Sequence, residues 1–294
     1  MRRTVATLCF AASFFSLACQ ENPGNRIRVG SKNFTEQIIL AELLKQYLER
    51  RTNLQVETRT NLGGTLVCHE AARSGEIDLY VEYAGTALTA VLGEPPGGNP
   101  EEVFRRVKSG YAERFGLEVL DPLGFSNTFA IVVRGEDARR LRLKTISDAA
   151  QKVPAWRAGF GYEFMERQDG FPGLEKTYNL HLKGSPRTME LGLLYRALME
   201  TQVDLVAGNA TDGIISASDL VILEDDRHYF PPYDALPIVG RKVLEQHPEL
   251  GVALRGLAGK ISEEEMRRMN YAVDGLHREV RQVAAEFLRA KRLE

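Results

Sequence analysis

The sequence of 294 residues has few of the side chains that build disulfides, metal sites or nucleic-acid surfaces. It contains three cysteines, five histidines and one tryptophan. The histidines show neither zinc-site spacing nor a partner for a nucleophile, so we expect no metal, no cofactor and no enzymatic activity. The formal net charge is only −2, and no basic block is interleaved with aromatic residues. Nucleic acid is therefore not expected as a partner.

Only one long apolar run stands near the amino terminus, from Val5 to Leu17, and two arginines precede it. It is too short to span a bilayer comfortably and fits the core of a signal peptide over residues 1–19. The run ends in Ser16-Leu17-Ala18-Cys19, which resembles the lipobox of bacterial lipoproteins. Lipidation of Cys19 would anchor an exported protein in the periplasm or on the outer face of the cell membrane. Ordinary secretion with cleavage after Ala18 is the alternative.

Cysteine usage fits export without disulfides. Cys9 would leave with the signal peptide, and Cys19 would carry the anchor, so only Cys68 remains for the folded part. A single thiol cannot form a disulfide within the mature chain. Cys68 is expected to be a small buried apolar residue.

Apolar residues alternate along some segments and recur at helical spacing along others. After a polar tether over 20–26, Ile27–Val29 predicts a strand, and a helix is predicted from Glu36 to Arg50. Later segments predict a helix over Met189–Met199 and mostly helix from Pro237 onward. The repeated β-α order predicts a mainly parallel sheet that binds ligands at the carboxyl ends of its strands.

Two such β-α series and a helical closing segment predict an α/β fold with two lobes. The first lobe is expected to comprise residues 27–126 and 234–294, with the second lobe, 127–233, inserted into it. Hinge crossings are expected near Asn127–Val133 and Asn209–Tyr233. Many functions share such architectures, so the fold by itself does not identify the chemistry.

A series of short motifs follows in order along the chain. They are Ser31-Lys32-Asn33-Phe34-Thr35-Glu36-Gln37, Gly63-Gly64-Thr65, Gly75-Glu76-Ile77-Asp78-Leu79-Tyr80, Glu82-Tyr83-Ala84-Gly85-Thr86, Arg167-Gln168-Asp169-Gly170, Gly192-Leu193-Leu194-Tyr195, Thr211-Asp212-Gly213 and Phe230-Pro231-Pro232-Tyr233-Asp234. This series resembles the substrate-binding proteins of quaternary-ammonium ABC importers, whose ligands include glycine betaine, choline and carnitine. The resemblance implies a type II periplasmic-binding-protein fold, in which two α/β lobes joined by a hinge close on a ligand cleft.

The chemistry of these ligands agrees with the residues available. A trimethylammonium group has no N–H to donate, so a protein holds it with aromatic faces and nearby carboxylates or carbonyls. The carboxylate of a betaine requires Arg, Lys or the amides at a helix amino terminus.

The resemblance assigns ligand contacts to nine positions. Tyr83 and Tyr233 match cage tyrosines, and Thr86 matches a polar contact. Lys32 and Arg167 match basic residues that hold a ligand carboxylate. The remaining candidates are Phe34, Asn127 where some members have Asp, Phe129 in place of a cage tyrosine, and Asn209 in place of another.

Three of these positions leave alternatives open. Asn209 lacks a ring, so the protein is either a weak betaine binder or has a pocket reshaped for a larger or more polar ligand. Losing one ring costs about 0.5 to 2 kcal/mol. Tyr233 could anchor a rigid loop, and Arg167 could instead pin the Asp169-Gly170 turn by pairing with a carboxylate.

The sequence thus predicts an exported, monomeric solute-binding protein. It would capture a quaternary ammonium compound and deliver it to an ABC permease and its ATPase. The alternative is a ligand-sensing binding protein for a different amino-acid derivative, partnered with a membrane receptor.

Overall fold

A computed structural model describes residues 23–152 and 155–294. The predicted signal peptide and Cys19 lie outside the described residues. Ten strands are present in this part of the chain: β1 Arg26–Gly30, β2 Gln55–Arg59, β3 Leu79–Tyr83, β4 Leu117–Val119, β5 Phe129–Arg134, β6 Ala158–Phe160, β7 Arg187–Thr188, β8 Leu205–Asn209, β9 Leu220–Leu223 and β10 Ala235–Gly240.

Fourteen α-helices connect or cover these strands in the same described part. They are α1 Thr35–Arg51, α2 Thr65–Ser74, α3 Ala84–Thr86, α4 Pro100–Phe115, α5 Gly135–Leu141, α6 Ile146–Lys152, α7 Tyr162–Glu166, α8 Phe171–Tyr178, α9 Leu194–Met199, α10 Gly213–Ala217, α11 Arg241–Gln246, α12 Pro248–Arg255, α13 Glu263–Asp274 and α14 Val280–Ala290. A π-helical segment, Ala87–Val91, continues α3. None of the helices in the described ranges combines the length and the apolar character needed to cross a membrane.

The strands form two five-stranded sheets, which define two lobes. The first lobe is built on the order β2-β1-β3-β10-β4 and the second on the order β7-β6-β8-β5-β9. Strands linked by helical crossovers are parallel, as predicted. In contrast, β10 runs antiparallel to both its neighbours, and so does β5. The prediction of a mainly parallel sheet is therefore wrong for these two strands, because each enters its sheet from the other lobe without a crossover helix.

Helices cover both faces of each sheet. In the first lobe, α1, α12, α13 and α14 pack on one face and α2 and α4 on the other. In the second lobe, α5 to α8 pack on one face and α9 and α10 on the other. The core against α2 contains Cys68, which has no exposed surface, and burial raises the pKa of its thiol to about 12. Cys68 is thus the buried apolar residue that the sequence predicts.

Two helix predictions need correction. Met189 donates its N–H to the carbonyl of Phe160 and continues the β7 edge, so the expected helix over Met189–Met199 is reduced to a 3-10 turn and α9. Pro237 lies inside strand β10, opposite Val81 of β3. A proline is a strong signal against a central strand, which is why the sequence pattern favoured helix there.

The two lobes are joined by segments that run side by side. Ser126 and Asp234 form an antiparallel bridge, and the N–H of Asn127 donates to the carbonyl of Tyr233 at 3.0 Å. This ladder lies directly before β5 and directly before β10, so each crossing segment leads straight into a sheet strand.

Candidate functional site

A cavity of about 190 Å³ lies between the two lobes and includes residues of both crossing segments in its walls. All nine residues that the sequence proposed for ligand contact line it: Lys32, Phe34, Tyr83, Thr86, Asn127, Phe129, Arg167, Asn209 and Tyr233. The sequence did not predict that further residues line the wall, among them Asn33, Gly64, Tyr162, Glu163, Met189, Glu190 and Leu191.

The ends of neighbouring strands bring these residues together. Lys32 and Phe34 follow the carboxyl end of β1, and Tyr83 ends the adjacent parallel strand β3. The carboxyl ends of parallel strands meet at one sheet edge, where such folds bind ligands. In the second lobe, Phe129 begins β5 and pairs directly with Asn209 at the end of β8. The two sheet edges face each other across the cavity.

Aromatic rings form two groups in the cavity wall. Phe34 and Tyr83 lie stacked, with centroids 6.4 Å apart and planes inclined by 25°. Phe129 and Tyr233 meet nearly edge to face, with centroids 5.7 Å apart, and Phe164 packs against Phe129 at 4.8 Å. Aromatic faces held in fixed orientation on opposite walls can attract a cation that offers no hydrogen bond.

The hydroxyl of Tyr83 is committed to a buried network behind the cavity. It donates to Glu36 Oε1 at 2.6 Å and accepts from Gln37 Nε2 at 3.0 Å. Burial raises the pKa of Glu36, although the hydrogen bonds that it accepts oppose this shift. The Glu36 carboxylate also accepts hydrogen bonds from the hydroxyl of Thr211 and from the side-chain amides of Asn127 and Asn270. The network connects helix α1 with the crossing segment and the second lobe.

Lys32 is already paired. Its Nζ lies 2.5 Å from Glu82 Oε1 and donates to Thr65 Oγ1 at 3.1 Å, and its side chain is only 4% exposed. The same Nζ lies 5.2 Å from the centroid of the Tyr83 ring. The resemblance implied that Lys32 holds a ligand carboxylate, but in the described structure this charge is neutralised by Glu82.

Arg167 also has a protein carboxylate as its partner. Its Nε and Nη2 lie 2.9 Å and 2.5 Å from the two oxygens of Asp169, and Nη2 donates to Thr86 Oγ1 at 3.0 Å. Burial by itself would raise the pKa of Asp169, but the hydrogen bonds and charge of Arg167 lower it overall. Of the two roles left open for Arg167, the structure contains the pairing that pins the Asp169-Gly170 turn.

Tyr233 and Phe129 are tied to this ion pair. The hydroxyl of Tyr233 donates to Asp169 Oδ2 at 2.6 Å, and the Arg167 guanidinium lies 5.0 Å from the centroid of the Phe129 ring. Asp169 therefore fixes both a cation and an aromatic ring of the cavity wall.

Glu163 is a wall residue that no sequence motif singled out. It lies on α7 of the second lobe and accepts from the backbone N–H of Thr65 at 2.5 Å and from Thr65 Oγ1 at 3.1 Å. Burial would raise the pKa of this carboxyl, but the charge of Lys32 and the hydrogen bonds from Thr65 lower it overall. A Cβ on Gly64 would lie 2.3 Å from Glu163 Oε1, so only glycine leaves room for this contact.

Asn209 borders a second hollow of about 380 Å³, which shares five wall residues with the first. Its N–H donates to Asp212 Oδ2 at 2.9 Å, and Asp212 also accepts from the Tyr195 hydroxyl at 2.6 Å. Burial raises the pKa of Asp212 to about 6, although these hydrogen bonds lower it. Asn209 and Phe34 belong to both walls, so the two cavities lie side by side.

Within residues 23–152 and 155–294, no group of three or more His, Cys, Asp or Glu side chains is placed to hold a metal ion. Lys32 and Arg167 of the cavity wall are instead paired with the carboxylates of Glu82 and Asp169 behind it. Its chemistry is that of a binding site with aromatic faces and internally neutralised cations.

Known proteins resemble this chain over nearly its whole length. Residues 25–290 match the family described as the substrate binding domain of the ABC-type glycine betaine transport system. The carnitine transport binding protein OpuCC of Listeria monocytogenes serotype 1/2a (strain 10403S) is 38% identical, covering 96% of this chain and 94% of that protein. The ergothioneine transport permease/ergothioneine binding protein EgtU of Helicobacter pylori (strain G27) is 33% identical, covering 92% of this chain and 48% of that protein.

A solved structure described as a glycine betaine/carnitine/choline ABC transporter superposes with a TM-score of 0.77 at 35% identity, covering 91% of this chain and 99% of that one. This match confirms the predicted two-lobed periplasmic-binding-protein fold. The comparisons also confirm the importer hypothesis in preference to the sensor. The family match covers residues 25–290, and a relative is 38% identical over 96% of this chain. The chain therefore belongs to the family of substrate-binding domains of ABC-type glycine betaine transport systems.

Proposed function

We propose that this protein captures a small quaternary ammonium compound between its lobes and delivers it to an ABC permease and its ATPase. The observation that carries the proposal is the arrangement of the aromatic side chains. The hydroxyls of Tyr83 and Tyr233 donate to Glu36 and Asp169, respectively. These two residues and Phe129 therefore present aromatic rings to a ligand and no hydrogen-bond donors. A trimethylammonium group is attracted by such faces and needs no hydrogen-bond partner.

Binding would proceed by closure of the two lobes. Residues 27–126 and 234–294 would move against residues 127–233, with the paired crossing segments as the hinge. Both lobes contribute rings to the cavity, so a ligand contacts its full set only in the closed state and shifts the population toward it. A ligand of about eight heavy atoms gains at most about 1.5 kcal/mol per atom, which allows micromolar binding.

The protein would act outside the cytoplasm as a monomer and release its ligand chemically unchanged, without a cofactor. Residues 1–19 would serve as a lipoprotein signal peptide, Cys19 as the lipidated residue and residues 20–26 as the tether. The order of basic residues, apolar run and cysteine supports this part of the proposal.

The test is calorimetric titration of the chain from Gln20 onward with glycine betaine, choline and carnitine. Glycine is the matched control ligand, because it keeps the carboxylate of glycine betaine but has no methyl groups on nitrogen. Saturable micromolar binding of at least one methylated ligand, without binding of glycine, is the expected result. Failure of all three to bind would refute the proposal and direct the search to larger ligands.

A further inference from the structure

We propose that Glu163 determines ligand specificity, on the basis of the function proposed above. Its carboxylate fills the position that an anionic ligand group would take. The site thereby favours trimethylammonium compounds that carry a hydroxyl, such as choline, over those that carry a carboxylate, such as glycine betaine.

The position of Glu163 is the first step of the argument. Helix α2 has ten residues, and its amino terminus at Thr65 opens into the cavity wall beside Gly64. Backbone amides at a helix amino terminus bind carboxylates well. Here the amide and the hydroxyl of Thr65 already bind Glu163, at 2.5 Å and 3.1 Å. A ligand carboxylate would have to displace this side chain to reach the same donors.

The two cations of the cavity offer no substitute position. Lys32 is paired with Glu82 at 2.5 Å, and Arg167 is held by Asp169 at 2.5 Å. The second partner of Arg167 is again Glu163, at 3.5 Å. Lys32 and Arg167 thus face the carboxylates of Glu82, Asp169 and Glu163, and Glu190 adds a fourth carboxylate to the cavity wall, so a net negative charge is left over around the cavity. A net cationic ligand compensates this charge, whereas a zwitterion brings a further carboxylate close to it.

A hydroxyl group on the ligand, in contrast, would be attracted by Glu163. It can donate to the free acceptor capacity of the Glu163 carboxylate, since a carboxylate has about four lone-pair positions and Thr65 uses two of them. One hydrogen bond to a charged group corresponds to about a tenfold to a hundredfold change in affinity. This is the size of the preference for choline over glycine betaine that we expect in the wild type.

The experiment compares choline and glycine betaine by calorimetry in wild type, Glu163→Gln and Glu166→Gln. Glu166 is an exposed carboxylate on the same helix and provides the matched control. In Glu163→Gln, the amide can donate to a ligand carboxylate, so the ratio of the two affinities is expected to move at least about tenfold toward glycine betaine. Glu166→Gln is expected to keep the wild-type ratio.

A second variant, Glu163→Ala, frees the α2 amino terminus altogether and should move the ratio in the same direction. Thermal unfolding of each variant verifies that it is folded. An equal loss of affinity for both ligands in the two Glu163 variants would overturn the proposal. It would indicate that Glu163 holds the two lobes together without distinguishing between the ligands. Equal affinities of the wild type for choline and glycine betaine would overturn the specificity proposal but not the proposed function. A wild type that binds neither ligand would overturn both.

Discussion

Replacing Tyr83 by Phe and by Ala separates its two connections, the hydroxyl to the buried network and the ring to the cavity. Tyr83→Phe removes the donor to Glu36 and the acceptor of Gln37, while the ring remains 6.4 Å from Phe34. Tyr83→Ala removes the ring as well. The two variants should therefore differ in ligand affinity, whereas both should lose stability.

The expected magnitudes follow from these contacts. A hydrogen bond to a charged group contributes about 1.5 to 3 kcal/mol, so Tyr83→Phe should lower the free energy of unfolding by about that amount. Its affinity for a trimethylammonium ligand should stay within about twofold, because the aromatic face is kept. Tyr83→Ala should cost about 3 to 5 kcal/mol of stability and weaken binding by about twofold to thirtyfold.

Urea unfolding and calorimetric titration measure the two quantities independently. Tyr47→Phe is the control, because the Tyr47 hydroxyl donates to the carbonyl of Ala253 at 3.0 Å in the same lobe but outside the cavity wall. It should cost about 1 kcal/mol of stability and leave affinity unchanged. If Tyr83→Ala binds as tightly as Tyr83→Phe, the ring takes no part in binding and the cage hypothesis is wrong.

Three further variants probe other parts of the site. Burial raises the pKa of Asp212 from 3.8 to about 6, so the folded protein binds this proton more tightly than the unfolded chain and loses stability as pH rises through that window. Relative to Asp212→Asn, the wild type should lose about 2 kcal/mol of unfolding free energy between about pH 4.5 and about pH 7.5. The same pH dependence of urea unfolding in both proteins would contradict this. Asp169→Ala removes the closest carboxylate of the buried Arg167 guanidinium, leaves only Glu163 at 3.5 Å, and should cost about 3 to 5 kcal/mol in urea unfolding. Gly85→Ala places a Cβ 2.8 Å from the Tyr233 ring and should weaken binding severalfold in a titration.

Matched substitutions show whether these effects are specific. Glu200→Ala breaks an exposed ion pair with Arg196 and should cost under about 1 kcal/mol. A similarly small loss for Asp169→Ala would contradict the buried-pair argument. Gly192→Ala meets no atom within 4 Å and should keep the wild-type affinity. An unchanged affinity of Gly85→Ala would mean that Tyr233 can shift without affecting the ligand.

The sequence was most informative where a motif marks the end of a strand. Lys32 and Tyr83 lie 51 residues apart in sequence, yet Lys32 follows β1 and Tyr83 ends the adjacent parallel strand β3, so both share one wall of the cavity. The predicted β-α order contains this information. The family resemblance assigned Phe129 and Asn209 to the ligand site, and the pairing of β5 with β8 brings the two together in the opposite wall.

The partners of these residues were much harder to predict. The pairing of Lys32 with Glu82, and the contact of Glu163 with Thr65, depend on how separate elements meet in space. A single carboxylate has no spacing pattern that reveals such a partner. The prediction of helix from Pro237 onward was wrong for a related reason, since the place of Pro237 in a strand depends on neighbours contributed by distant segments.

The buried thiol has a practical consequence for reading out ligand binding by fluorescence. A thiol with a pKa of about 12 carries almost no thiolate at neutral pH, so Cys68 should not react with maleimide dyes. A chain that begins at Gln20 contains no other cysteine. Tyr162 is 58% exposed at the rim of the cavity, so Tyr162→Cys would provide a single labelling position. A dye attached there would change its surroundings when the lobes close, which makes the natural sequence a one-substitution scaffold for an optical sensor.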